Sequence, residues 1–401
     1  MRIKQKRPKI VVGMSGGVDS SVALLLLKKQ GYEPIGVSLK YAVWKDRKNL
    51  LRENVCCSAQ SFAVAETVCK KLGVPYYILD FSQEFKKVVM EYFLQTLKKK
   101  ETPNPCAVCN RYIKFKRLIE FARKCGAEYV ATGHYARLRR EIPNSPPDFA
   151  KRRSLWRAGK SQIPRPTSPK DEVFGGRANY VLLQAKDKSK DQTYFLCFLT
   201  QQQLKRIIFP LGNYLKEEVY KIAQSQGFDF FLRTKQSQGL CFVSDKSIPF
   251  YLEKEIGIEP GPIIDQKGNV LGQHKGLHFY TIGQRKDTGI GGIGPFYVTE
   301  LDKKHNALIV TNNPEDPALF KKSLTAKNVS WISGEQPKLP LRCRAKIRYL
   351  HPAMPAVIER SKNRGLRVVF LRRQRAITPG QLVVFYKGQK VLGGGTIGGS
   401  Q

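Results

Sequence analysis

Acidic residues are scarce in this chain. It carries 32 Asp and Glu against 70 Lys and Arg in 401 residues, a formal net charge of +38. Solubility alone does not call for that imbalance, and a polyanionic partner is the simpler explanation. Long apolar runs are missing too. No stretch approaches the roughly 18 residues of a membrane span, and no long apolar segment follows the basic N-terminus as in a secretory leader. Repeats of solenoid period are absent. The nine cysteines are odd in number, in a chain large enough to bury a core without disulfides. They point to a reducing cytoplasm and read as chemistry or core rather than as staples. At roughly 100–200 residues per domain, the length allows two or three domains.

What is present is organised around residues 9–30. Ile10, Val11 and Val12 read as a buried parallel strand. A small-residue turn follows: Gly13, Met14, Ser15, Gly16, Gly17, Val18, Asp19 and Ser20. An apolar run at helical spacing then continues to a stop at Gly31. Strand, glycine loop and helix in that order build an anion site, since glycines let backbone N–H groups approach a phosphate and the helix N-terminus adds donors and a favourable dipole. Ser15, Ser20 and Ser21 are candidate hydroxyl donors. No lysine closes the loop, so this is not the Gly-Lys-[Ser/Thr] nucleotide loop. The stretch SGGVDS instead resembles the pyrophosphate loop (PP-loop) of ATP pyrophosphatases, enzymes that adenylate an oxygen and release pyrophosphate.

Further strands are expected at 34–39, 74–79 and 128–132, with helices at 58–73, 83–99 and 111–125 between them. Alternation of β and α elements predicts a doubly wound parallel sheet with helices on both faces. Residues 140–178 break the pattern: proline-rich, charged and aperiodic, they read as a mobile insertion. Order returns at 190–196, and a helix spans 215–226. From residue 261 short apolar runs alternate with Gly, Asn and Asp turns, including 262–264, 270–271, 278–281, 296–298 and 307–310. That spacing reads as β-rich, with the last part a small barrel or sandwich. Basic residues cluster before the first strand, between 139 and 170, and from Arg360 to Arg375. Three such runs favour nucleic acid.

The second important stretch is TPNPCAVCN at 102–110. Its two prolines predict an extended, exposed entry. Cys106 and Cys109 form a C-x-x-C just before a basic helix, whose N-terminal end lowers a thiol pKa. Cys241 lies in a second glycine-containing loop. Zinc would want a fourth ligand. Three thiolates could hold an iron–sulfur cluster with one open iron, and two could instead carry a persulfide and resolve it. Cys56, Cys57, Cys69, Cys125, Cys197 and Cys343 read mainly as structural. His134 follows the fourth strand at the crevice edge. Arg348 and Tyr349 pair a phosphate ligand with a stacking ring, a combination suited to single-stranded RNA.

Taken together the motifs resemble one family, the tRNA-specific 2-thiouridylases (MnmA/TrmU type). The matching pieces are GMSGGVDSS at 13–21, CCS at 56–58, TPNPCAVCNRYIKF at 102–115, ATGHYAR at 131–137, KDQTYFL at 190–196 and FPLGNYLKEEVYKIA at 209–223. SQGLCFV at 237–243, YTIGQRK at 280–286, KIRYLHP at 346–352, TPGQLVVFY at 378–386 and VLGGGTI at 391–397 complete the set. Only 140–178 falls outside it. The resemblance implies an N-terminal doubly wound PP-loop domain at 1–207, a central mixed/β tRNA-binding domain at 208–318, and a C-terminal β-barrel at 319–401. It implies ATP and Mg2+ at residues 13–20, with Leu39 and Gly133 lining the adenine and ribose side. A tRNA wobble uridine would be flipped toward Asn104, Pro105 and Cys106. Its 2-carbonyl oxygen would be adenylated, and a Cys241 persulfide, loaded by a sulfur-relay or cysteine desulfurase protein, would supply sulfur. Cys109 would complete release, leaving a Cys109–Cys241 disulfide. His134, Lys190, Asp191, Gln192, Arg348, Tyr349 and Gln381 match tRNA-contacting positions. The expected state is a cytoplasmic monomer.

One departure is chemical: many family members carry aspartate where this chain has Cys106. A third cysteine makes a 4Fe–4S cluster on Cys106, Cys109 and Cys241, delivering hydrosulfide, an alternative to the persulfide. Two rivals outside the family are another PP-loop synthetase acting on a small molecule and a catalytically silent RNA-binding homologue.

Overall fold

The computed structural model describes residues 7–49, 58–141, 179–228, 231, 239–286, 290, 295–361 and 365–400. The expected insertion from residue 142 onward and the Cys56–Cys57 pair lie outside the described residues.

Strand β1 (Lys9–Gly13) leads into helix α1 (Val18–Lys29), then β2 (Glu33–Lys40), helix α2 (Ala59–Lys71) and β3 (Tyr76–Asp80). Helices α3 (Ser82–Phe85) and α4 (Glu91–Lys98) are joined by a π turn. Helix α5 (Pro105–Cys109) continues through a second π turn into α6 (Phe115–Lys124). Strands β4 (Tyr129–Thr132), β5 (Ala136–Glu141), β6 (Asn179–Gln184) and β7 (Ile207–Ile208) follow. The first sheet has the order β3-β2-β1-β4-β7, and every pairing in it is parallel. Alternate side chains of β1 enter different cores: Ile10 and Val12 pack with α1 and α2, whereas Val11 packs with α4 and α6. Helices therefore cover both faces, as expected. Chain order reverses between β1 and β4, the switch point where such sheets open a crevice at the carboxyl ends of their strands.

A middle sheet contains β8 (Gly261–Ile264), β9 (Val270–His274), β10 (Tyr297–Asp302) and β11 (Ala307–Thr311), in the order β10-β11-β8-β9. Residues 278–281 do not form a strand. Leu277–Phe279 is a single 3-10 turn, because Gly276 takes φ +151° and its carbonyl accepts from the Phe279 N–H.

The last part is a closed barrel: β12 (Phe320–Trp331), β13 (Leu341–Lys346), β14 (Met354–Arg360), β15 (Leu366–Arg375), β16 (Leu382–Lys387) and β17 (Lys390–Ser400). Its order β12-β15-β14-β13-β16-β17 closes through a β12–β17 pairing, and all contacts are antiparallel. Closure removes the exposed edges that would otherwise recruit other strands. The β5–β6 hairpin attaches to it through Lys390 opposite Leu183. Strand β16 is buried on both faces. Val383 and Phe385 fill the barrel, and Leu382, Val384 and Tyr386 enter the large core of the N-terminal unit. No helix among the described residues is long and apolar enough to cross a membrane.

Candidate active site

The loop after β1 stands at the switch point. Gly16 has φ +72°, and a Cβ there would run into the Ser61 carbonyl at the start of α2. Met14 is fixed from below: its N–H donates to the Val37 carbonyl at 2.8 Å and its carbonyl accepts from Ser38 Oγ at 2.9 Å. Gly17 is the N-cap of α1, and no side chain caps it. The first-turn N–H groups of α1 thus face the crevice as an anion site. Hydroxyls contribute less than expected. Ser20 and Ser21 are buried, and both donate to the Gly17 carbonyl at 3.0 Å. First-turn hydroxyls bond back to the preceding backbone in this way. Ser15, half-buried and 3.2 Å from Ser20 Oγ, is the hydroxyl nearest the crevice. Val18 and Leu39 are core residues. At Gly133 a Cβ would stand 2.7 Å from Asp19 C and Ser20 N. Glycine there lets the end of β4 touch the first turn of α1.

Asp19 is held by two side chains distant in sequence. Lys216 Nζ lies 2.6 and 2.8 Å from its oxygens, and the Tyr135 hydroxyl donates to it at 2.8 Å. Lys216 is 8 % exposed and faces the rings of Tyr135 and Tyr220. Burial lowers the Lys216 pKa, against the opposing pull of Asp19. Burial and then Asp19 raise that of Tyr135. Asp187 accepts the Lys216 backbone N–H at 3.0 Å. Sequence reasoning missed Lys216, Tyr135 and Asp187. One signal was available: Lys216 is the first residue of the helix Lys216–Gln224, an end that repels cations.

The C-x-x-C lies on α5 and is reached through residues 102–105. The entry at 102–105 is extended but not exposed, because loops from two other units cover it. The Thr102 N–H donates to the Pro379 carbonyl at 2.9 Å, and Gln381 Nε2 donates to the Pro103 carbonyl at 3.1 Å. Thr102 and Thr281 hydroxyls are 3.1 Å apart. Asn104 caps α5 by accepting the Ala107 N–H at 3.3 Å, and its amide reaches Gln381 Oε1 at 3.4 Å. Gln381, proposed apart from Asn104 and Pro105, is therefore brought to them. The C-x-x-C does not precede a helix; it forms the first turns of one. Cys106 is exposed and Cys109 is 7 % exposed.

Cys109 belongs to the same apolar cluster against which half-buried Cys241 packs. The neighbouring Phe242 anchors that loop, its ring 5.4 Å from Phe93 and its carbonyl accepting the Trp44 N–H at 2.9 Å. Among the described residues no three His, Cys, Asp or Glu side chains are grouped to hold a metal ion. All three candidate cysteines are described, so this conformation does not assemble a three-thiolate cluster site.

The remaining candidates divide. His134 is half-buried against Phe115 and Phe209, its Nδ1 2.6 Å from Thr132 Oγ1. Burial, then Lys114, hold its pKa well below the ordinary value, so the imidazole is neutral. Asp191 is 3 % exposed and accepts from the Ala185 N–H and the Thr193 hydroxyl. Gln192 accepts the Tyr135 N–H at 2.9 Å. Both are positioned as internal braces, whereas Lys190 is half-buried on the adjoining turn. Arg348 Nη2 donates to the Ile282 carbonyl at 2.6 Å and the Thr378 hydroxyl at 2.9 Å, tying the middle unit to the barrel. The Tyr349 ring packs at a tilt against Phe195, with ring centroids 4.6 Å apart.

Three family models tile the chain: "tRNA methyl transferase HUP domain" over residues 8–245, "tRNA methyl transferase PRC-barrel domain" over 250–312 and "Aminomethyltransferase beta-barrel domain" over 321–397. A protein of Clostridioides difficile named tRNA-specific 2-thiouridylase MnmA is 41% identical over 97% of this chain and 98% of its own length. One of the same name from Roseiflexus sp. is 43% identical over 97% and 99%. A relative in Geobacillus kaustophilus, tRNA-specific 2-thiouridylase MnmA 2, is 39% identical over 97% and 94%. With its PP-loop sheet, middle sheet and closed barrel in the same order, the chain belongs to the tRNA-specific 2-thiouridylase family.

Proposed function

We propose that this protein is an ATP-dependent tRNA sulfurtransferase that converts the 2-carbonyl of a wobble uridine to a thiocarbonyl. The observation that carries the reading is an uncapped, glycine-built helix N-terminus at the switch point of the sheet, in a chain whose Cys109 belongs to the apolar cluster against which Cys241 packs. ATP would lie on residues 13–20, its phosphates on the first-turn N–H groups of α1. Asp19 is paired with Lys216, so the loop fits a triphosphate whose magnesium is held chiefly by its own oxygens, as is usual for this ion. Magnesium there would neutralise charge on the leaving pyrophosphate.

The uridine 2-oxygen would attack the α-phosphorus, forming an O-adenylated base whose C2 is activated and releasing pyrophosphate. The terminal sulfur of a Cys241 persulfide attacks that carbon, and AMP leaves. The Cys109 thiolate then attacks Cys241 Sγ, breaks the S–S bond and frees the thiolated base; the disulfide left behind requires an external dithiol. The base would be received at Asn104, Pro105 and Cys106, with Lys190, Tyr349 and Gln381 nearest to the RNA. His134, Asp191, Gln192 and Arg348 would act by holding that surface in place. A sulfur-relay or desulfurase protein would load Cys241, and the enzyme would work as a cytoplasmic monomer. The domain limits 1–207, 208–318 and 319–401 are retained as part of this reading.

The test is single-turnover thiolation of unmodified wobble-uridine tRNA with enzyme charged with persulfide. Formation of 2-thiouridine with stoichiometric AMP is the expected result; Cys241→Ser should lose both, and Cys109→Ser should release AMP but free no 2-thiouridine. Pyrophosphate release driven by a small acceptor and independent of tRNA would overturn it.

A further inference from the structure

Two segments without regular structure meet beside Cys241. Residues 41–49 continue from the carboxyl end of β2, and residues 241–244 lead toward the helix Ile248–Glu255. Backbone N–H and C=O groups outside helices and strands must find their partners elsewhere. Asn49 supplies several. Its Nδ2 donates to the Trp44 carbonyl at 2.7 Å and to the Phe242 carbonyl at 3.4 Å, and its Oδ1 accepts the Ser244 N–H at 3.2 Å. The Phe242 carbonyl and the Ser244 N–H belong to the two peptide units that flank Val243, so one side chain orients both. Half-buried Cys241 immediately precedes this pinned stretch. Docking of the two segments does not depend on Asn49 alone. Ser247 Oγ donates to the Lys48 carbonyl at 2.7 Å, Lys254 Nζ lies 2.9 Å from Asp46 Oδ2, and the Trp44 and Tyr251 rings meet with centroids 5.3 Å apart. The buried Phe242 ring packs edge-on against Phe85, Phe93 and Tyr251. Those contacts fix where the loop sits; Asn49 adds direction to the backbone next to the thiol.

We propose that Asn49 is a positioning residue for sulfur transfer: its amide fixes the 242–244 backbone and with it the placement of the Cys241 thiol. The proposal rests on the reading of Cys241 as the sulfur carrier and adds a residue that reading does not use. Through residues 41–49 the thiol's loop is tied to the end of β2, one of the parallel strands whose carboxyl ends open on the crevice. The amide is chemically specific to this task, because it offers donors and an acceptor from one planar group. A carboxylate of the same shape would lose both donors and face two carbonyl oxygens. A serine hydroxyl is too short to span Trp44, Phe242 and Ser244 together.

The experiment uses the full-length Asn49→Asp enzyme, charged with persulfide, in single-turnover reactions with unmodified wobble-uridine tRNA. Pyrophosphate release should match wild type, while 2-thiouridine formation should slow by roughly a hundredfold, the cost of about 1 Å of misplacement at a reacting group. A second readout needs no tRNA. Iodoacetamide labels Cys241 and the exposed Cys106 in the same uncharged protein, and peptide mass spectrometry gives the ratio of their rates. Release of the 242–244 backbone should raise Cys241 labelling several-fold relative to Cys106. Asn49→Ser should show the same split between the two chemical steps, and it takes the place of Asn49→Asp if that variant does not fold. Thiolation at the wild-type rate with an unchanged labelling ratio would overturn the proposal. Equal losses of pyrophosphate release and thiolation would also overturn it, since Asn49 would then serve the fold as a whole. Failure of the sulfur-carrier reading would appear separately, as wild-type enzyme that forms no 2-thiouridine while the labelling ratio still shifts in Asn49→Asp.

Discussion

Lys216 Nζ bridges both carboxylate oxygens of Asp19, at 2.6 and 2.8 Å, although the two residues belong to helices far apart in the chain. Asp19 lies in the first turn of α1, where a carboxylate is favoured by the helix dipole but would repel a triphosphate. Lys216 neutralises that carboxylate.

Asp19→Ala is expected to abolish tRNA-dependent pyrophosphate release while sparing tRNA binding. Lys216→Met is expected to raise the KM for ATP at least tenfold. A stability cycle on Asp19→Asn and Lys216→Gln should give a coupling energy of about 0.5–3 kcal/mol, the range for residues in one salt-bridge network. Pyrophosphate release that survives Asp19→Ala would remove the loop from the mechanism.

Gly133→Ala separates an architectural glycine from a spare one. Its Cβ would meet backbone atoms of Asp19 and Ser20 at 2.7 Å, so the first turn of α1 must shift. A displacement near 1 Å at a reacting centre costs roughly a hundredfold in rate. Steady-state adenylation should fall by about that factor with the fold retained by circular dichroism.

Cys106 and Cys109 should respond oppositely. Cys106 is exposed in the first turn of α5, a position where a carboxylate is stabilising by roughly 0.3–1 kcal/mol. Cys106→Asp is therefore expected to fold at least as stably and to keep thiolation. Cys109→Ser should still release pyrophosphate but form no 2-thiouridine. Mass spectrometry of the tRNA reads both.

Stability should fall on acidification below neutrality. His134, His274, His278 and His351 all have pKa values held below 6.5, chiefly by burial. Near pH 6 the unfolded chain binds protons at these sites that the folded chain does not. Stability is therefore full above about 6.5 and is lost as pH drops, by up to about 1.4 kcal/mol per pH unit for each histidine. Urea titrations at pH 7.5, 6.0 and 5.0 should show it, and His278→Gln should flatten the profile.

Local pattern was enough to read β1, its loop and α1, because period and punctuation agree there. It was also enough to find the alternation of the first sheet. Strand β5, with sequence ARLRRE, escaped notice because its charges suppress the apolar alternation and its partner β6 follows only after a long gap. The entry at 102–105 looked exposed because nothing nearby in sequence covers it; Pro379 and Gln381 do so from the barrel. Lys216 and Tyr135 became visible only through Asp19, since a pair formed between distant segments leaves no periodic trace.

Strand β16 presents alternate side chains to two cores, and this shapes the protein's evolutionary freedom. Leu382, Val384 and Tyr386 are as much part of the N-terminal unit as of the barrel. A truncation or graft that removes the barrel would strip packing from the N-terminal core, so these two units would be inherited together and melt as one. Exchange of the barrel between relatives would succeed only when the facing surface, including Tyr194 and Thr193, travels with it.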